Sequence, residues 1–234
     1  LHPRVRRQRQ MCIRDSGMQF VSLGVDVARF GDDETIIYRN YHGHCKIVRN
    51  RRGQNLMATV GDIVQEFKKI YREHPTYESK VYVQIDDTGL GGGVTDRLKE
   101  VRKEQKLYKM QVIPINAAEK IETDTAAGKD AAERYNNLTT AMWASMRDLL
   151  DNKQIVIEDD EQTIGQLSSR KYTMASNGKL EIEPKKEMKK RGLDSPDRAD
   201  ALALALYLGK IKKHTGSAPS VGAMKKLSKD NYWG

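Results

Sequence analysis

Acidic side chains interrupt otherwise apolar segments at three places in this sequence. Asp26 closes the β-rich run Phe20 to Val27, within Gly24-Val25-Asp26-Val27-Ala28-Arg29. Asp86 closes the strand-like KVYVQI and is followed by Asp87-Thr88-Gly89-Leu90-Gly91-Gly92-Gly93. Asp197 and Asp200 open the segment Ser195-Pro196-Asp197-Arg198-Ala199-Asp200-Ala201-Leu202, and on a helix this spacing puts both on one face. Charges are rarely buried without a partner or a metal, and ligands bind at the carboxyl ends of strands in open α/β sheets. Each acid has a plainer reading alone. A strand-ending Asp serves turns and caps, and Asp197 in a first helical turn suits the macrodipole. Asp200 resists such a reading, because it borders a run made almost wholly of Ala and Leu. Together the acids predict one carboxylate site. Hard oxygen donors without His or Cys clusters suit Mg²⁺ or Mn²⁺ rather than Zn²⁺. Carboxylates on strand ends and a helix are the equipment of two-metal phosphodiester hydrolysis.

Other candidates surround these acids. Asp32 and Asp33 follow Gly31 and read as turn residues, or as groups holding water near a metal. Gly89, Gly91, Gly92 and Gly93 stand where a helix should start, so Gly91 is a candidate phosphate contact through free N–H groups; a flexible turn is the alternative. Lys185, Lys186, Lys189, Lys190 and Arg191 form the dense basic cluster of the body. Lys runs are commonly solvated faces, but this one adjoins the proposed metal site, so Lys186, Lys189, Lys190 and Arg191 are expected to meet a DNA backbone. Tyr172 and Lys179, on the hairpin expected below, are further residues that could reach the duplex. Met142, Trp143 and Met146 read as core. The five His show no metal spacing, and no Gly-x-Ser-x-Gly elbow is present.

The elements that must position these residues follow from periodicity. Phe20 to Val27, Glu34 to Tyr41 and His44 to Val48 read as strands, the last two joined through His42–Gly43. Leu56, Val60, Ile63, Phe67 and Ile70 mark an amphipathic helix ended by His74–Pro75. A strand at Lys80 to Ile85, a helix at Gly91 to Gln105 and a strand at Lys109 to Ile115 come next. A polar loop from Asn116 to Gly128 precedes one long expected helix, Asp130 to Asp151, and a short strand at Ile155 to Ile157. Lys171 to Glu183 should fold back through Asn177–Gly178, a strong hairpin signal. The final helix is expected to take Ser195 as N-cap with Pro196 at its first position. Three strands followed by strand–helix alternation predict a mixed α/β sheet with helices on both faces.

The 234 residues, 38% hydrophobic and 31% charged, fit one large domain or two small ones, and one is the better reading. The formal net charge of +9 invites a nucleic-acid reading, but its distribution weakens that inference. Residues 1–17 carry +4 and residues 210–234 carry +5, so the segment between balances thirty bases against thirty acids. Residues 1–17 show no periodicity and read as extraneous sequence or a basic arm; 213–234 read as a flexible basic tail, leaving 18–212 as the domain. The longest apolar run, Ala199 to Leu208, is too short to span a bilayer, and two cysteines cannot make a disulfide framework. A reducing cytoplasmic setting is expected.

Three segments resemble the nuclease domain of the large terminase subunit of tailed bacteriophages, a ribonuclease H-like fold: GVDVARFGDDETII from Gly24, VQIDDTGLGGGVTDRL from Val83, and SPDRADALALAL from Ser195. KKEMKKRG at Lys185 to Gly192 also looks similar, and the likeness spans nearly all of 20–209. It implies a ribonuclease H-like mixed sheet with an added hairpin before the last helix. It further implies an endonuclease cutting concatemeric viral DNA during packaging, with Asp26, Asp86 and Asp200 as catalytic metal ligands. Asp197 would be a supporting ligand for two Mg²⁺ or Mn²⁺ ions. The implied partners are double-stranded DNA, a terminase ATPase domain, the small terminase subunit and the portal, in the cytoplasm of the infected host. No G-x-x-x-x-G-K-[ST] occurs, so the sequence reads as a nuclease portion without the motor. A junction resolvase or integrase is the rival within the fold. An actin-like ATPase is a rival outside it, disfavoured because Val27-Ala28-Arg29 stands where Gly and Ser/Thr would bind phosphate. A module that only binds DNA or the portal would have no use for the acids.

Overall fold

The computed structural model describes residues 19–28, 33–116, 119–124, 126–207 and 209. Both tails expected at 1–17 and 213–234, and Asp32, lie outside these residues. Six strands form one mixed sheet in the order β5-β4-β1-β2-β3-β6. They are β1 (Val21–Asp26), β2 (Thr35–Tyr41), β3 (His44–Arg51), β4 (Val81–Asp86), β5 (Met110–Ile115) and β6 (Val156–Ile157). The three leading strands run antiparallel, with β2 turning into β3 through His42 and Gly43 at positive φ. β4 and β5 then join β1 in parallel.

Helices α1 (Leu56–Glu73) and α2 (Gly91–Glu104) cover one face. Val21, Leu23 and Val25 of β1 pack there with Ile63, Phe67 and Leu98. Burial at every position of β1 shows that the second face is covered too. That cover consists of α4 (Leu138–Asp151) and α7 (Asp197–Leu206), which pack Met142, Trp143, Leu202 and Ala205 against Ile36 and Tyr38. Residues alternate between sheet faces, so Ser22, Gly24 and Asp26 all point toward α7. The Ser22 hydroxyl donates to the Ala205 carbonyl, and a Cβ on Gly24 would collide with α7 backbone at Ala201 and Ala205. Gly24 therefore lets α7 lie directly on β1.

Three expectations need correction. The helix expected over Asp130 to Asp151 is two helices, α3 (Ala126–Arg134) and α4. Tyr135 leaves the helix to bridge Leu180, and the Asn136 amide donates to the Leu180 carbonyl at 2.9 Å. Asn137 is extended and caps α4 through Thr140, a role Asn prefers over a mid-helix position. The last helix is capped one residue later than expected, at Pro196, and the buried Ser195 hydroxyl has no hydrogen-bond partner. Its first turn is capped from outside instead: Gln166 Oε1 accepts from the amides of Arg198 and Ala199, each at 3.0 Å. Gln166 belongs to α5 (Glu161–Ser169), a helix that the sequence reading did not contain; Asp160 caps it through Thr163. The expected hairpin forms from β7 (Tyr172–Met174) and β8 (Leu180–Ile182), with Gly178 at φ 76°. It leads into α6 (Lys185–Lys190).

Candidate active site

The parallel pairing of β1 and β4 sets Val25 beside Ile85, so the two strands end together and carry Asp26 and Asp86 to the same edge. Both line a cleft of about 500 Å³, together with Asp33, Arg170, Lys185, Asp197 and Asp200. Asp87, the next residue, turns to the opposite face and accepts from the Thr95 hydroxyl at 2.7 Å. Asp86 Oδ1 accepts from the Thr88 amide at 2.9 Å. A second groove, between β3 and α1, holds none of the candidate residues.

Asp26, Asp197 and Asp200 converge on one ammonium. Lys185 Nζ lies 3.4 Å from Asp26 Oδ2, 3.4 Å from Asp197 Oδ1 and 3.0 Å from Asp200 Oδ2. By sequence Lys185 belongs to the same basic cluster as the cations expected to meet DNA. Its place at the start of α6 instead directs it into the acids, and no local sequence signal distinguishes it from Lys186. Asp197 is buried and also accepts from the Glu34 amide at 2.8 Å. Asp200 Oδ1 accepts from Trp143 Nε1 at 2.7 Å and from Arg170 at 2.9 Å. Among the described residues, no three His, Cys, Asp or Glu side chains already enclose a common point fit for a metal ion. The carboxylates close around an ammonium instead.

The electrostatics follow from this crowding. Burial, reinforced by the charges of Asp200, Asp197 and Asp86, pushes the Asp26 carboxyl up to about 8 even though Lys185 opposes the shift. Burial would raise Asp200 as well. There the Lys185 and Arg170 charges, with hydrogen bonds from Lys185 and Trp143, prevail and hold it below the ordinary carboxylate range. Burial would lower the Lys185 ammonium, but Asp26, Asp200 and Asp197 hold it well above its usual range. Three carboxylates thus share one lysine in a cleft that Asp86 also lines, a place that calls for further positive charge. The donor set is all oxygen, which fits a hard divalent cation.

The softer candidates separate. Lys186, Lys189 and Lys190 are exposed on α6 beside the cleft; Lys189 pairs with Asp33 at 3.2 Å and Lys190 with Glu187 at 2.7 Å. Arg191 is tied to Glu183 and to the Ser169 carbonyl, which anchors the end of α6 to the hairpin. Gly91 is where α2 meets β4: a Cβ there would collide with the Asp86 carbonyl, so the glycine secures the position of the Asp86 backbone. Tyr172 packs under Arg147, whose guanidinium carbon lies 5.8 Å from the ring centroid, and Lys179 Nζ donates to the Ala132 carbonyl. Arg170 and Trp143 are the site residues missed. Arg170 stands in no motif and Trp143 reads as core, and only the fold shows their common partner.

No protein-family model matches this chain, and no curated protein matches its sequence. Among solved structures, it is similar to a point variant of the nuclease domain of the large terminase subunit gp2 of bacterial virus Sf6, solved with manganese and β-thujaplicinol. The TM-score is 0.64 at 16% identity, over 86% of this chain and 93% of that one. The nuclease domain of the Sf6 large terminase subunit gp2 itself gives 0.62 at 18% identity, over 86% and 96%. A variant of the Sf6 domain solved with calcium gives 0.64 at 16%, over 86% and 97%. The chain has the ribonuclease H-like fold of these nuclease domains.

Proposed function

We propose that this chain is a metal-dependent DNA endonuclease, the nuclease portion of a phage large terminase subunit, which cuts concatemeric viral DNA during genome packaging. The convergence of Asp26, Asp197 and Asp200 on Lys185, with Asp86 in the same cleft, carries this reading. The shared fold with a nuclease domain that has been solved with manganese supports it. In this reading Asp26, Asp86 and Asp200 hold two Mg²⁺ or Mn²⁺ ions, with Asp197 in support. Bound there, such ions would supply a nucleophile at neutral pH and charge stabilisation at the leaving oxygen of the phosphodiester.

The protein's own groups have separate tasks. Ionised carboxylates draw the cations in, and uptake requires Asp26 to lose the proton that its burial favours. Lys185 must withdraw from the carboxylate oxygens that take up metal. Lys186, Lys189 and Lys190, beside the cleft, meet backbone phosphates and set the duplex across it. The partners are double-stranded DNA and, through the packaging machine, an ATPase domain, the small terminase subunit and the portal, in the host cytoplasm.

The test is plasmid cleavage with Mg²⁺ or Mn²⁺ by the wild type, Asp26→Asn and Asp200→Asn. Cleavage by the wild type alone, with duplex binding kept by both variants, is expected. Undiminished cutting by both variants would sink the assignment. Preference for four-way junctions over linear duplex would favour a resolvase.

A further inference from the structure

Asp200 presents its two oxygens to different surroundings. Oδ2 faces the cleft and Lys185 at 3.0 Å. Oδ1 is turned inward, where Trp143 Nε1 donates at 2.7 Å and Arg170 at 2.9 Å. Both donors are themselves held. The Trp143 residue is 3% exposed and the Arg170 side chain 4%. The Arg170 guanidinium stacks 4.6 Å from the Trp143 ring centroid, and its Nε donates to the Glu183 carbonyl at 2.9 Å. Trp143 comes from the middle of α4, Arg170 from the C-cap of α5, and Glu183 follows β8. Two segments outside the six-stranded sheet thus converge on one carboxylate oxygen, and a third holds the arginine in place.

We propose that Trp143 and Arg170 are positioning residues that fix the rotamer of Asp200, reserving Oδ2 as the single oxygen offered to a divalent cation. This inference rests on the reading of Asp200 as a metal ligand. The chemistry is that of outer-shell support, in which hydrogen bonds to a ligating carboxylate orient it, and loss of such a bond costs about 10–100-fold in metal affinity or activity. The two residues differ in one respect. Trp143 is a neutral donor and contributes orientation alone. Arg170 adds a positive charge that opposes an incoming cation, so its removal mixes lost orientation with gained attraction. Trp143 is therefore the discriminating position, and Trp143→Phe removes the donor while keeping an aromatic ring in the core.

The experiment is Mn²⁺ titration of the full chain, without DNA, by calorimetry and by the electron paramagnetic resonance of free Mn²⁺. The proteins are wild type, Trp143→Phe, Asp200→Asn and the double variant, with thermal melts in chelator alongside. Trp143→Phe should weaken Mn²⁺ binding by roughly tenfold, and the effect should vanish in the Asp200→Asn background, because Trp143 acts through that carboxylate. A Trp143→Phe affinity within twofold of wild type would overturn the inference, whatever its melting temperature. So would an equal loss with and without Asp200, since that marks a general packing defect. Should Asp200→Asn itself bind Mn²⁺ as the wild type does, the ligand assignment fails first, an outcome distinct from failure of the positioning role.

Discussion

The contact between β1 and α7 sets the distance between Asp26 and Asp200, and one added methyl group tests how tightly. Gly24 faces α7, and an alanine Cβ there would fall well inside 3.0 Å of the Ala201 carbonyl oxygen and the Ala205 amide, and 2.8 Å from Ala205 Cα. All three obstacles are backbone, so no flexible side chain can yield. Restoring normal contact requires α7 to move outward by about 1 Å, an overpacking whose typical cost is about 1–3 kcal/mol. Gly24→Ala is expected near the top of that range. The shift also draws Asp197 and Asp200 away from Asp26, and a misplacement of about 1 Å at a reacting centre can cost about 10²-fold in rate. Gly61→Ala in α1 is the control: nothing lies within 4 Å of its Cβ, and alanine in a helix interior is favoured by about 0.5–1 kcal/mol. Urea denaturation and plasmid cleavage on the same preparations read both effects. Gly24→Ala with stability within 0.5 kcal/mol of wild type and unreduced cleavage would refute the claim that α7 rests on β1 backbone to backbone.

The raised Asp26 carboxyl predicts a pH slope in chelator. Folded Asp26 keeps its proton up to about 8 whereas the unfolded group releases it near 3.8, so its contribution to stability falls as pH rises between those values. Asp26→Asn should flatten that slope in urea melts from pH 5 to 9, and an unchanged slope would count against the burial of a protonated Asp26. Lys185→Ala should lower the melting temperature in chelator, because three carboxylates lose their shared counter-charge. Mn²⁺ should then raise it by more than in the wild type; a smaller rise would mean that Lys185 does not stand in the cation's place.

Much of this site was legible because ionised residues at the ends of apolar segments are conspicuous. Asp26, Asp86 and Asp200 each break a run that packing alone would have kept apolar, and β1, β4 and α7 form where those runs predict. Other features were hidden for physical reasons. Lys185 and Lys186 are adjacent and chemically identical, and only the orientation of α6 sends one of them into the acids. Trp143 sits on an apolar helical stripe where core and carboxylate donor look alike. The break at Tyr135 depends on pairing with Leu180, 45 positions away along the chain, and the capping of α7 by Gln166 depends on a helix of only 9 residues. Tertiary partners decide these cases.

A manganese anomalous difference map of the crystalline protein tests the central claim most directly. Density bounded by Asp26, Asp86 and Asp200, with the Lys185 ammonium withdrawn from at least one of its carboxylates, is the expected result. Manganese bound elsewhere, or Lys185 undisturbed at saturating metal, would contradict the account.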